Sequence, residues 1–135
     1  MSSSGETLSL TKPIDSLPFK EQYTFERRQQ MSQKEKQKKH PDGSVFVLVV
    51  CERSAASKLP PLPKNRYKVD ENTTIAKFMV SIRDRLTLKE DESLFFFVND
   101  TIPASMTTFG ELQSKFLNED GFLYVQYQEE SVYGC

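Results

Sequence analysis

The last residues, SVYGC at 131–135, hold the side chains with the most chemical latitude and the least obvious structural purpose. Glycine loses more conformational entropy on ordering than any other residue, so Gly134, standing after the last periodic segment, asks for a reason. Cys135 beside it offers a thiol, and thiol chemistry needs a thiolate stabilised by a nearby cation or base. The one histidine, His40, precedes a turn, and no spacing pairs it with Cys135, so a Cys–His nucleophile is set aside. Prenylation requires cysteine fourth from the end, whereas Cys135 is the last residue of the sequence, so that lipid signal fails. Residue chemistry alone leaves an idle frayed terminus as the plain reading.

The other thiol, Cys51, lies inside an apolar run. Two cysteines make no disulfide framework. No apolar run follows a basic segment near the N-terminus, as a secretion signal would require, so a cytoplasmic protein is expected, with the sequons at Asn72 and Asn99 unused. No stretch nears the ~20 apolar residues of a membrane span. Membrane contact would have to be added chemically, and neither a cofactor nor a metal is expected.

Charge is distributed unevenly. Residues 19–40 carry seven Lys or Arg against three Glu, whereas residues 89–135 carry two Lys against nine acids. The basic segment favours acidic partners or an anionic surface, but Glu and Gln interrupt it too often to point to nucleic acid. A solvated helix face is its plain reading.

These residues are positioned by a chain of 135 residues with ten Phe and five Tyr, enough for one packed domain. Residues 1–16, rich in Ser and small polar types, are expected as a flexible extension. Residues 17–40 form a helical subdomain with Pro18 at its start and Phe19, Tyr23 and Phe25 as apolar positions, read as two short helices. The second, over 24–39, is almost wholly polar after Phe25 and is expected to pack weakly. His40-Pro41-Asp42-Gly43 stops it.

Residues 41–129 form the core. VFVLVVC at 45–51 reads as a strand buried on both faces. Three prolines punctuate the loop at 53–63, and Arg66 to Val69 is a short second strand. Thr73 or Thr74 caps a helix carrying Ile75, Phe78, Met79, Ile82 and Leu86 at helical spacing. SLFFFV at 93–98 is a third strand, and Thr107 or Thr108 starts a short helix with Phe109, Leu112 and Phe116. NEDG then leads into FLYVQYQ at 122–128, the fourth strand, and 130–135 is a tail.

That order predicts an α+β fold: a β-grasp with one helix across a four-stranded mixed sheet and two additional N-terminal helices covering the second face. If those helices cover it only in part, an aromatic-lined hollow beside an edge strand is left, a natural place for an extended peptide.

FKEQYTFERR at 19–28, CER at 51–53, FVNDTIP at 97–103 and DGFLYVQY at 120–127, followed by VYG, resemble the ubiquitin-like autophagy modifiers of the GABARAP and microtubule-associated protein light chain type. The resemblance runs in order over roughly residues 17–134 and implies the ubiquitin-like β-grasp. It also implies a use for the tail. In that family a dedicated cysteine protease trims the residues after a glycine. Ubiquitin-like activating and conjugating enzymes then join the exposed carboxyl to the amine of phosphatidylethanolamine. Gly134 matches that glycine and Cys135 would be removed. Lacking a Cβ, glycine passes a narrow protease channel and presents an unhindered carbonyl. Two acyl chains, at ~0.8 kcal/mol per buried CH₂, would hold the protein on autophagosome membranes more firmly than one.

The family also docks cargo receptors and autophagy factors through short motifs with an aromatic and an aliphatic residue three apart, added as a strand. By position, Arg66 to Val69 would pair with the peptide. The resemblance assigns Leu48, Val50, Arg66, Lys68 and Phe122 to an aromatic pocket, and Tyr67, Val69, Phe78 and Arg85 to an aliphatic one. Lys64, Arg66, Lys68 and Arg85 would suit acidic flanks. No enzymatic activity is implied. Read without the family, Val50, Val69 and Phe78 are ordinary core residues, and Lys64, Arg66 and Lys68 are a solvated strand face.

The sequence departs from the family pattern at several places. Residues 29–45 run longer than the usual connection and lack the apolar positions that the second helix normally offers to the aromatic pocket. Leu48 stands where proline is common, Phe46 where a basic residue is, Lys68 in place of an aliphatic and Ser81 in place of an apolar residue. An altered or weaker motif preference than in typical members is expected. Two other readings stay open: an unconjugated β-grasp interaction module, and a cytoskeletal or nucleic-acid adaptor using Lys34 to Lys39, marked by steep salt dependence.

Overall fold

The three apolar runs rich in β-branched and aromatic residues each become a strand. The computed structural model describes residues 17–129. The expected extension at 1–16 and the tail at 130–135, with Gly134 and Cys135, lie outside the described residues. In chain order the elements are α1 (Phe19–Gln22), α2 (Phe25–Lys36), β1 (Phe46–Arg53), β2 (Arg66–Asp70), α3 (Ile75–Leu86), β3 (Phe95–Phe97), α4 (Phe109–Phe116) and β4 (Leu123–Gln128). The strands lie in the order β2-β1-β4-β3. β1 runs antiparallel to β2 and parallel to β4, and β3 runs antiparallel to β4. This is the expected α+β β-grasp with a mixed sheet and two additional N-terminal helices.

β1 is central, and Val47 to Cys51 are all buried. Because side chains alternate along a strand, Val47, Val49 and Cys51 enter the main core with Phe78, Ile82, Phe96, Phe109 and Leu123, whereas Leu48 and Val50 join Phe19 and Phe122 on the other face. The second face is therefore covered by the N-terminal helices, with the Phe19 ring 5.1 Å from that of Phe122, edge-on. Full burial of an aromatic of this size contributes roughly 1.5–3 kcal/mol.

Local signals settle the helix ends. The Thr74 hydroxyl accepts from the Lys77 N–H to start α3, and Thr87 ends it in the left-handed region at φ 53°. Thr108 and Glu111 form a reciprocal capping box at the start of α4. Two strands differ from the expected ranges. β1 continues through Arg53, because Glu52 and Arg53 pair with Gln126 and Tyr127 of β4. β3 is shorter than 93–98, because Asn99 and Asp100 both take positive φ and turn the chain back, pairing Val98 with Thr101.

α2 corrects the expectation of weak packing. Its buried residues are polar, Arg28 and Ser32. Arg28 Nη1 donates to Asp120 Oδ2 at 2.5 Å, the Tyr124 hydroxyl donates to the same oxygen at 2.5 Å, and Ser32 Oγ donates to the Asp120 carbonyl at 2.5 Å. The helix is attached by charge-assisted hydrogen bonds in place of an apolar stripe.

Candidate functional site

β2 is an edge strand with a neighbour, β1, on one side. Its register sets two faces. Leu48 pairs with Lys68 and Val50 with Arg66, so Arg66 and Lys68 face α1 and α2, while Tyr67 and Val69 face α3. Between β2 and α2 lies a hollow of about 910 Å³, floored by Leu48 and Phe122 and walled by Met31. Among the described residues, seven Lys or Arg side chains line it, and Glu35 is the one acid that does.

Of the residues assigned to the aromatic pocket, Leu48, Arg66, Lys68 and Phe122 line this hollow together. Val50 is wholly buried beneath it, in the second core. Of the aliphatic set, Tyr67 and Arg85 reach the hollow, as does Lys64. Val69 and Phe78 are buried in the main core, where the Phe78 ring lies 4.9 Å from that of Phe109 and 6.0 Å from that of Tyr67. Cations bracket the Tyr67 ring, Lys64 Nζ at 5.3 Å and the Arg85 guanidinium carbon at 5.4 Å. Its hydroxyl donates to the Lys64 carbonyl at 2.7 Å, and burial pushes the phenol up to about 12.

Met31 corrects the sequence reading of 29–45 as a segment with no apolar wall. It packs against the cluster of Phe19, Leu48, Val50 and Phe122. Arg28, Met31 and Glu35 recur at i, i+3 and i+7, so helical spacing placed them on one face of α2, and that signal was present in the sequence. Glu35 and His40 were also missed. Lys68 Nζ lies 3.6 Å from Glu35 Oε1 and 3.4 Å from His40 Nε2, and 5.5 Å from the centre of the Phe46 ring. Lys38 Nζ lies 3.0 Å from the other Glu35 oxygen. That hydrogen bond, with the charges of Lys38 and Lys68, holds the Glu35 carboxyl below its ordinary range.

Residues 27–134 match the family model described as "Autophagy protein Atg8 ubiquitin like". The chain belongs to the ubiquitin-like Atg8 family. The solved structures similar to it include two of Atg8. Trypanosoma brucei ATG8 is 31% identical with a TM-score of 0.76, over 88% of this chain and 99% of that one. Plasmodium falciparum Atg8, solved in complex with a Plasmodium falciparum Atg3 peptide, is 26% identical with a TM-score of 0.73, over 85% and 98%. The Atg8 match begins at Arg27, inside α2, and runs through Gly134.

Cys51 and Glu52 are ionisable groups that lie outside the hollow. Cys51 is wholly buried and its thiol is pushed far up by that burial. Glu52, which burial also pushes up, accepts the Phe19 N–H at 2.6 Å and so pins the start of α1 to the sheet. Among the described residues, no cluster of three or more His, Cys, Asp or Glu could hold a metal. No described helix is long and apolar enough to cross a membrane.

Proposed function

We propose that this Atg8-family autophagy protein is a modifier with two working parts: a tail joined through Gly134 to phosphatidylethanolamine, and a groove along β2 that collects partners carrying short motifs. The observation that carries the docking part is that the two candidate sets of residues lie on opposite faces of one edge strand. Side chains of an added strand alternate with a period of two, so residues three apart point to opposite faces. A motif with an aromatic and an aliphatic residue three apart therefore sends one toward Met31, Leu48 and Phe122 and the other toward Tyr67, Val69 and Phe78. Lys64, Arg66, Lys68 and Arg85 receive acidic flanks.

Family membership and a match that extends through residue 134 support the tail reading. A cysteine protease cleaves the Gly134–Cys135 bond, with water completing the Gly134 carboxylate and the amine of the released Cys135. After activation, the lipid headgroup amine attacks the Gly134 carbonyl, an amide forms, and the activating group leaves. The Plasmodium relative's complex with an Atg3 peptide supports a partner of that kind as the conjugating enzyme. The protein then resides in the cytoplasm and, through its lipid, on autophagosome membranes, where it recruits cargo receptors.

Intact-mass analysis of protein recovered from soluble and membrane fractions of its own cells tests this, with Gly134→Ala alongside. The expected result is loss of the Cys135 mass, with a phosphatidylethanolamine adduct on membranes that the variant lacks. A chain that keeps Cys135 and carries no lipid in either fraction overturns the conjugation half and leaves an unconjugated β-grasp interaction module.

A further inference from the structure

We propose that Glu35 is a built-in stand-in for a ligand carboxylate: it holds Lys68 until an acidic side chain of a docked peptide replaces it, and the pair makes binding selective for that acid. The inference rests on the docking reading and adds a chemical requirement to it.

Three observations carry it. First, Lys68 lies opposite Leu48 and faces the hollow, so a cation stands on the floor side of a groove meant for apolar side chains. An ammonium has three donors and no acceptor, and a partly desolvated one needs acceptors. Second, its carboxylate partner comes from the facing wall. Glu35 Oε1 lies 3.6 Å from Lys68 Nζ, with His40 Nε2 at 3.4 Å on the same ammonium. Third, among the described residues Glu35 is the only acid lining the hollow, set against seven Lys or Arg, so the hollow's field attracts a further carboxylate.

The exchange is nearly balanced. Both side chains of the pair are about one-third exposed, 32% for Lys68 and 33% for Glu35, and an ion pair of that kind contributes little. Glu35 loses one partner on exchange and keeps the other, Lys38 at 3.0 Å. An incoming acid on the same face of an added strand as the aromatic residue, two positions from it, takes the vacated place, because positions two apart share a face.

The test uses the full chain and short labelled synthetic peptides carrying Phe-x-x-Leu, with Glu or Gln two residues before or two residues after the Phe. Affinities are measured for wild type, Glu35→Gln, Lys68→Leu, the double variant, and Glu26→Gln as a charge-matched control outside the hollow. Glu35→Gln is expected to tighten one Glu peptide about two- to fivefold and to leave its Gln counterpart unchanged. Lys68→Leu should bring the ratio of Glu-peptide to Gln-peptide affinity to about one, and the double variant should match it. Equal gains for Glu and Gln peptides, or the same gain from Glu26→Gln, overturn the proposal. If wild type binds none of the peptides, the docking reading itself falls, a result distinct from unchanged selectivity in a chain that does bind.

Discussion

Arg28 on α2 and Asp120 in the turn before β4, 92 residues apart, form a buried pair in which the guanidinium Nη1 lies 2.5 Å from the carboxylate Oδ2. Asp120 is wholly buried, and its second oxygen accepts the Phe122 N–H at 2.9 Å. One carboxylate thus ties α2, which walls the groove, to Phe122, which floors it just before β4.

Removing either partner leaves the other charge uncompensated. Asp120→Ala and Arg28→Ala are each expected to lower unfolding free energy by about 3 kcal/mol, and the double variant by clearly less than the sum. Urea unfolding of the four proteins checks this. Additive losses would mean that the pair is not coupled.

Gly121 takes φ +93°, and a Cβ there would lie 2.3 Å from Ser32 Oγ and 2.8 Å from Ser32 Cβ. Gly121→Ala is expected to cost about 2 kcal/mol, seen as a Tm drop of several degrees. Measured against Ser32→Gly alone, which itself loses the hydrogen bond to the Asp120 carbonyl and places a glycine inside α2, adding Gly121→Ala should cost only the backbone part. A thermal melt of single and double variants separates it from the steric part.

Met31 walls the hollow and packs on the small core beneath it. Met31→Ala is expected to weaken Phe-x-x-Leu peptides roughly three- to tenfold, with a stability loss near 1 kcal/mol, whereas Met31→Leu should stay close to wild type. Peptide titration beside chemical unfolding reads both. Loss of stability with no loss of binding would take Met31 out of the groove.

Glu52 gives a pH dependence of definite sign. Burial raises its folded pKa above the ordinary value of 4.5, so the folded state holds the proton more tightly than the unfolded chain. Stability linked to that proton is complete below about pH 4.5 and is lost as pH rises through the raised folded value. Glu52→Gln keeps an acceptor for the Phe19 N–H without the charge. The variant is expected to be more stable than wild type near neutral pH, with the difference vanishing at acid pH. Unfolding measured across pH tests it, and a difference that grew toward acid pH would reverse the assignment.

Periodicity and local capping, read from the sequence by itself, determined the strands, the main-core faces of α3 and α4, and the two-sided burial of Val47 to Cys51. Those features depend on residues a few positions apart. Thr74 and Thr108 cap helices through the third residue onward, and alternation along β1 divides its side chains between faces whatever covers them. The order of elements and the quoted motifs were enough for the family as well. Tertiary structure alone decided how α2 is held and what the groove presents. α2 has no apolar stripe, and the carboxylate that anchors Arg28 comes from the far end of the chain. Lys68 and Glu35 are 33 positions apart, and nothing local to either announces the other. Polar pairs form where folding brings desolvated groups within hydrogen-bond reach, so hydropathy patterns locate a buried face but leave the partners of its charges to the packed fold.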